Sequence, residues 1–84
     1  MSDLHKLEIL RIICLDATPG KPERFGFNVM SKALGLTKDK LDIYLTELNK
    51  DRFVAQYAKK GVDSFTIEIK QKGLDAVEDG SFIG

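Results

Sequence analysis

The run Thr37–Asn49, TKDKLDIYLTELN, read with Phe53–Tyr57, FVAQY, decides how this chain folds. Leu41, Tyr44, Leu45 and Leu48 recur at offsets 0, 3, 4 and 7. That spacing is one face of an α-helix. Thr37 is a good N-cap, because its hydroxyl can accept from a backbone N–H freed in the first turn. Asp39 puts negative charge near the positive end of the helix dipole. Upstream, Val29–Leu36, VMSKALGL, suits a short helix closed at Gly35, since glycine takes the left-handed conformation that ends a helix. Two helices joined by a glycine turn are expected here, with a strand after the second.

Downstream, Phe53, Ala55 and Tyr57 alternate with Val54, Gln56 and Ala58, the period of a strand with one buried face. Ser64–Lys70, SFTIEIK, alternates again, with Phe65, Ile67 and Ile69 on one face and Thr66, Glu68 and Lys70 on the other. Lys59–Asp63, a polar stretch around Gly61, separates the runs, so a β-hairpin is predicted. In QKGLDAVEDGSFIG, Leu74, Ala76 and Val77 suit a helix of one to two turns ended by Asp79-Gly80. Phe82 and Ile83 then fold back on the core or meet a partner.

Upstream, Asp3–Leu15 reads as the first helix, capped by Ser2 or Asp3. Leu4, Leu7 and Cys14 follow a heptad-like stripe, and Leu10 and Ile13 widen it. From Ile9 to Leu15 only Arg11 is polar. Such a helix is buried on more than one side, either as a central core helix or as one that also pairs with another subunit. Asp16–Phe25 is a loop marked by Pro19-Gly20 and Pro22, and Arg24-Phe25 can add a short strand. Phe27–Leu34 is the second helix, with Phe27 or Asn28 near its cap. Its apolar side is Val29, Met30, Ala33 and Leu34, and Lys32 faces solvent.

The 84 residues are expected to form one domain, 1–84. Thirteen cationic and thirteen acidic side chains balance, so attraction to a polyanion must come from local clustering. The lone Cys14 excludes an internal disulfide and a cysteine-based zinc site, and His5 has no second histidine beside it. No cofactor or metal is expected. No apolar run is long enough to cross a bilayer, and the charged N-terminus lacks a signal-peptide core, so a cytoplasmic location is the default. No nucleophile or metalloprotease motif is present, and no enzyme activity is expected.

Helix, loop, helix, turn, helix, hairpin and short helix, in that order, form an α+β pattern. It resembles the winged-helix variant of the helix-turn-helix fold over nearly the whole chain. Ala33–Val54, ALGLTKDKLDIYLTELNKDRFV, looks like that family's helix–turn–helix–strand core. The hairpin with Lys59–Asp63 looks like the wing, and Thr66–Asp79, TIEIKQKGLDAVED, is similar to the second wing strand running into a terminal helix. The nearest likeness is to small bacterial and archaeal transcription regulators of the multiple-antibiotic-resistance and related types.

The resemblance implies a transcriptional regulator that reads duplex DNA, with the third helix in the major groove and the wing on the backbone. Carried onto this chain, the candidate contacts are Lys32, Thr37, Lys38, Lys40, Asp42, Ile43, Thr46, Arg52, Lys59 and Lys60, with Glu47 on the same helix face. Asp42 and Ile43 depart from the Ser, Arg or Asn common there. Asp42 would repel phosphates, and Ile43 suits a thymine methyl or a protein surface. Arg52 stands where the family often has glycine, which points to Asn49 or Asp51 as the left-handed residue. A homodimer through the first helix and the C-terminal segment is the expected assembly. The alternative is a winged helix that docks on protein and binds little or no DNA.

Overall fold

The computed structural model describes residues 2–79, as α1 (Ser2–Asp16), β1 (Glu23–Gly26), α2 (Phe27–Leu34), α3 (Lys38–Lys50), β2 (Val54–Lys60), β3 (Ser64–Ile69) and α4 (Gln71–Asp79). The strands form an antiparallel sheet in the order β1-β3-β2. The described residues are thus a small α+β unit in which β3 is the central strand. That place explains its alternation: Phe65, Ile67 and Ile69 are all fully buried. Phe65 is the hub, with the rings of Phe25, Phe27 and Tyr57 packed around it at 4.7–5.8 Å between centroids. Glu68, expected on an open face, is buried as well, and Gln56 Nε2 donates to its carboxylate at 2.9 Å.

The helices lie where their apolar positions require. In α1, Ile9, Leu10 and Ile13 are fully buried, and the helix packs on α2, α3 and α4. Burial on more than one side holds for Ile9, Leu10 and Ile13, whereas Leu4 and Leu15 are 60% and 82% exposed, which is the spare apolar surface that the subunit-pairing reading of α1 requires. The loop after α1 turns through a Thr18–Lys21 bridge, and Glu23–Gly26 then pairs with β3, opposing Phe25 to Phe65.

The cap of α2 is Gly26 rather than Phe27 or Asn28. The Phe27 N–H donates to the Asp63 carbonyl in the hairpin turn at 2.6 Å, which sets the helix start. From that start Phe27 and Met30 point inward, while Val29 and Ala33, assigned to the apolar side, face out. Gly35 closes the helix in the left-handed conformation, as expected.

α3 buries Leu41, Leu45 and Leu48 completely, and Thr37 Oγ1 accepts from the Lys40 N–H at 3.2 Å. Such a cap stabilises a helix by about 1 kcal/mol. The helix ends differently from expectation: Arg52 itself is left-handed, at φ 68°, while Asp51 is not. The Phe53 N–H reaches back to the Leu48 carbonyl at 3.0 Å and the Arg52 N–H to Asn49 at 3.2 Å. This pair of bonds closes a Schellman turn, here without glycine.

The hairpin pairing is present, but the simple alternation of β2 is broken. Ala55 opposes Glu68 and Ala58 opposes Thr66, so Gln56 and Tyr57 together face one residue of β3. This is a β-bulge, with Gln56 at φ 54°. Its turn is Gly61–Asp63, so Lys59 and Lys60 end the strand instead of forming the tip. α4 is nine residues long, longer than the one to two turns expected. The proposed stop at Gly80 and the fates of Phe82 and Ile83 lie outside the described residues, as do the side chains of Ser2 and Asp3 offered as caps.

Candidate functional site

The bulge decides which side chains α3 meets. Val54 opposes Ile69 on the buried face. Unbroken alternation would next place Gln56, Ala58 and Lys60 on that face. The extra residue reverses the phase: Lys59 opposes Phe65, and Tyr57, two residues before it, shares its side. Both therefore turn toward α3, and Lys60 turns away.

Three contacts follow along α3. At its first turn Lys38 Nζ donates to the Val62 carbonyl in the hairpin turn and lies 5.3 Å from the Phe27 ring centroid. One turn on, the Asp42 carboxylate accepts from the Tyr57 hydroxyl at 2.6 Å and from Lys59 Nζ at 3.3 Å. Near the last turn, Asn49 Oδ1 accepts the Tyr57 backbone N–H at 3.3 Å, the donor that the bulge removes from the ladder. Burial, then the hydrogen bond to Asp42 and its negative charge, raise the Tyr57 pKa well above the ordinary tyrosine value. The phenol therefore stays a donor at any physiological pH.

Asp42 is thus corrected from a groove-facing residue to a joint between helix and hairpin. Lys59, offered as a wing contact, shares that joint at 3.3 Å while its side chain stays 58% exposed, and the Lys60 side chain has no bonded partner among the described residues. Thr46 is also less available than expected, because its hydroxyl donates to the Asp42 carbonyl at 2.8 Å. Glu47 pairs with Lys6 of α1 at 2.6 Å; Lys6 is 9% exposed, its stem buried beside the core.

The residues left facing out are fewer. Lys40 is exposed on α3, and Ile43 beside it is 54% exposed. With half-buried Tyr44 they line a shallow depression. Tyr44 stacks on His5 at 5.7 Å between centroids, so the expected packing role holds while one edge stays accessible. Arg52 lies at the C-terminal end of α3, Lys60 at the end of β2 and Lys32 in the last turn of α2; all are exposed. Among the described residues, none of Lys32, Lys40, Arg52 and Lys60 has a side-chain hydrogen bond or ion pair. Thr37 is committed to its cap.

The joint of Asp42, Tyr57 and Lys59 carries no local sequence signal, because it exists only once the bulge has reversed the strand. Among the described residues no cluster of His, Cys, Asp or Glu suits a metal ion, and no helix is long and apolar enough to cross a membrane. Cys14 is half-buried, and desolvation raises its thiol pKa. No protein-family model, curated protein or solved structure matches the chain.

Proposed function

We propose that the chain is a small winged-helix DNA-binding protein, a transcriptional regulator that meets duplex DNA with α3 and the β2–β3 hairpin. The observation that carries this reading is the disposition of charge on α3. Of its three acids, Asp42 is held by Tyr57 and Lys59 and Glu47 by Lys6, while Asp39 stays exposed in the first turn. Lys40, Arg52, Lys60 and Lys32 are exposed and uncommitted. Acids held by their own partners repel phosphate less, and free cations are what a phosphate backbone recruits. Base reading is thin: Lys40 is a donor and Ile43 suits a thymine methyl, while the Thr46 hydroxyl is engaged. Affinity would then rest on the backbone and fall steeply with salt.

A second reading has its own observation. Ile43, exposed next to Tyr44 and Lys40 in a shallow depression, suits a protein partner that inserts an apolar side chain. Fluorescence anisotropy on a random duplex separates the two. Binding at low salt is expected, and Lys40→Ala, Arg52→Ala and Lys60→Ala together should reduce the salt slope by about 2 to 3. A folded sample that leaves the duplex unbound at low salt would overturn the DNA reading.

A further inference from the structure

We propose that the outer face of α1 is a self-complementary seam that pairs with α1 of a second copy in antiparallel register. Leu4, Glu8, Arg11 and Leu15 are spaced 4, 3 and 4 residues apart. At 100° per residue they fall within one narrow stripe of the helix. Leu15 is 82% exposed and Leu4 60%, Arg11 is exposed and Glu8 half-exposed. The core takes the opposite side of α1 through Ile9, Leu10 and Ile13, so packing among the described residues does not explain either leucine.

The stripe reads the same from both ends: apolar, charged, charged, apolar. The two inner charges have opposite sign. Laid against its own copy with the direction reversed, Leu4 meets Leu15, Glu8 meets Arg11, and each contact occurs twice. A two-fold axis demands this property, because one patch must complement itself. Parallel pairing would set Glu8 against Glu8 and Arg11 against Arg11, so the charges select the antiparallel arrangement. Neither Glu8 nor Arg11 has an ion-pair partner among the described residues. Half-buried Ile12 lies on the shoulder of the stripe and adds apolar area.

One 15-residue helix face is well short of the roughly 800 Å² per partner of a standard interface. The dimer is therefore of the weak, concentration-dependent kind. It does not depend on the DNA reading, and a failure of either leaves the other standing.

Sedimentation equilibrium of the full chain, from micromolar to millimolar protein, is the test, with circular dichroism to verify folding. The wild type should pass from monomer to dimer across that range. Leu15→Glu should weaken association by at least about tenfold, since each substitution acts at two symmetry-related contacts. E8K alone and R11E alone should each weaken self-association, because like charges then oppose one another across the axis. Mixing the E8K and R11E proteins should form a heterodimer, and the E8K/R11E double variant should associate about as well as wild type. A wild type that stays monomeric at millimolar concentration overturns the proposal. So does a dimer insensitive to Leu15→Glu, or a mixture that fails to associate.

Discussion

On the proposed DNA-binding reading, Asp42→Asn should move stability and duplex affinity in opposite directions. The amide oxygen keeps an acceptor for the Tyr57 hydroxyl, now at 2.6 Å from a carboxylate. It loses the charge that holds Lys59 at 3.3 Å. That pair is largely in water, with Lys59 58% and Asp42 33% exposed by side chain, so its loss costs well under 1 kcal/mol. Replacing a charged by a neutral acceptor for Tyr57 adds a comparable amount. The sum is about 1 kcal/mol, or a melting temperature lower by roughly 4–8 °C for a domain of this size. On the other side, Lys59 is released beside α3 and one negative charge is removed. One added phosphate contact steepens the salt slope by about 0.9 and strengthens binding about tenfold near 50 mM salt. Differential scanning calorimetry and anisotropy titrations on one preparation measure both. Weaker duplex binding at unchanged fold would refute the role given to Asp42, since the acid would then be reading DNA itself.

Gly73 sits where a Cβ would lie 2.4 Å from the Phe53 carbonyl oxygen and 2.8 Å from Ile69 Cδ1. Gly73→Ala gains about 1 kcal/mol of helix propensity but forces a backbone shift, and overpacking costs about 1–3 kcal/mol. Urea unfolding should show a less stable protein, and a more stable one would mean that α4 packs differently. Arg52→Gly removes the cost of a side chain in the left-handed region, so stability should rise by about 0.5–1 kcal/mol in the same assay. Tyr57→Phe should lower stability by about 1 kcal/mol near neutral pH. Because folding raises the Tyr57 pKa above its ordinary value of 10, the neutral phenol contributes fully below pH 10. The unfolded state loses its proton first above that pH. The wild-type advantage over Tyr57→Phe, measured by denaturation at stepped pH, should stay level up to about pH 10 and shrink beyond it.

Much of the fold was legible because its signals are local. The Leu41, Leu45 and Leu48 stripe, the Thr37 cap, the Gly35 stop and the Phe65, Ile67 and Ile69 alternation each need only neighbours in the chain, and each stands as read. The candidate site was less legible because its geometry depends on pairs far apart in sequence. Whether Asp42 faces out depends on Tyr57, fifteen residues away, and whether Glu47 is free depends on Lys6. Val29 and Ala33 were misplaced for a local reason: Phe27, Met30 and Leu34, at offsets 0, 3 and 7, take the core side of α2 and leave those two on the other side. Leu4 and Leu15 look like core by composition, and only the packing of α1 on three neighbours shows which of its sides is spare.

The junction between α3 and β2 gathers these points into one physical cause. Arg52 and Gln56, at φ 68° and 54°, are non-glycine residues in the left-handed region, one on each side of Phe53–Ala55. Each conformation costs about 1 kcal/mol relative to glycine, so neither persists without something that holds it. Around Arg52 the holding contacts are the Schellman bonds and the burial of Phe53, 7% exposed. Around Gln56 they are its bond to Glu68, the Asn49 bond to the Tyr57 N–H, and the packing of Tyr57 on Phe65. The two strained residues fix the direction and phase of β2 as it leaves α3, and that phase turns Lys59 inward and Lys60 outward. Helix and hairpin are therefore locked together through Asp42, Asn49, Tyr57 and Lys59. A partner that meets α3 and β2 together finds the junction already ordered, and little ordering cost remains there.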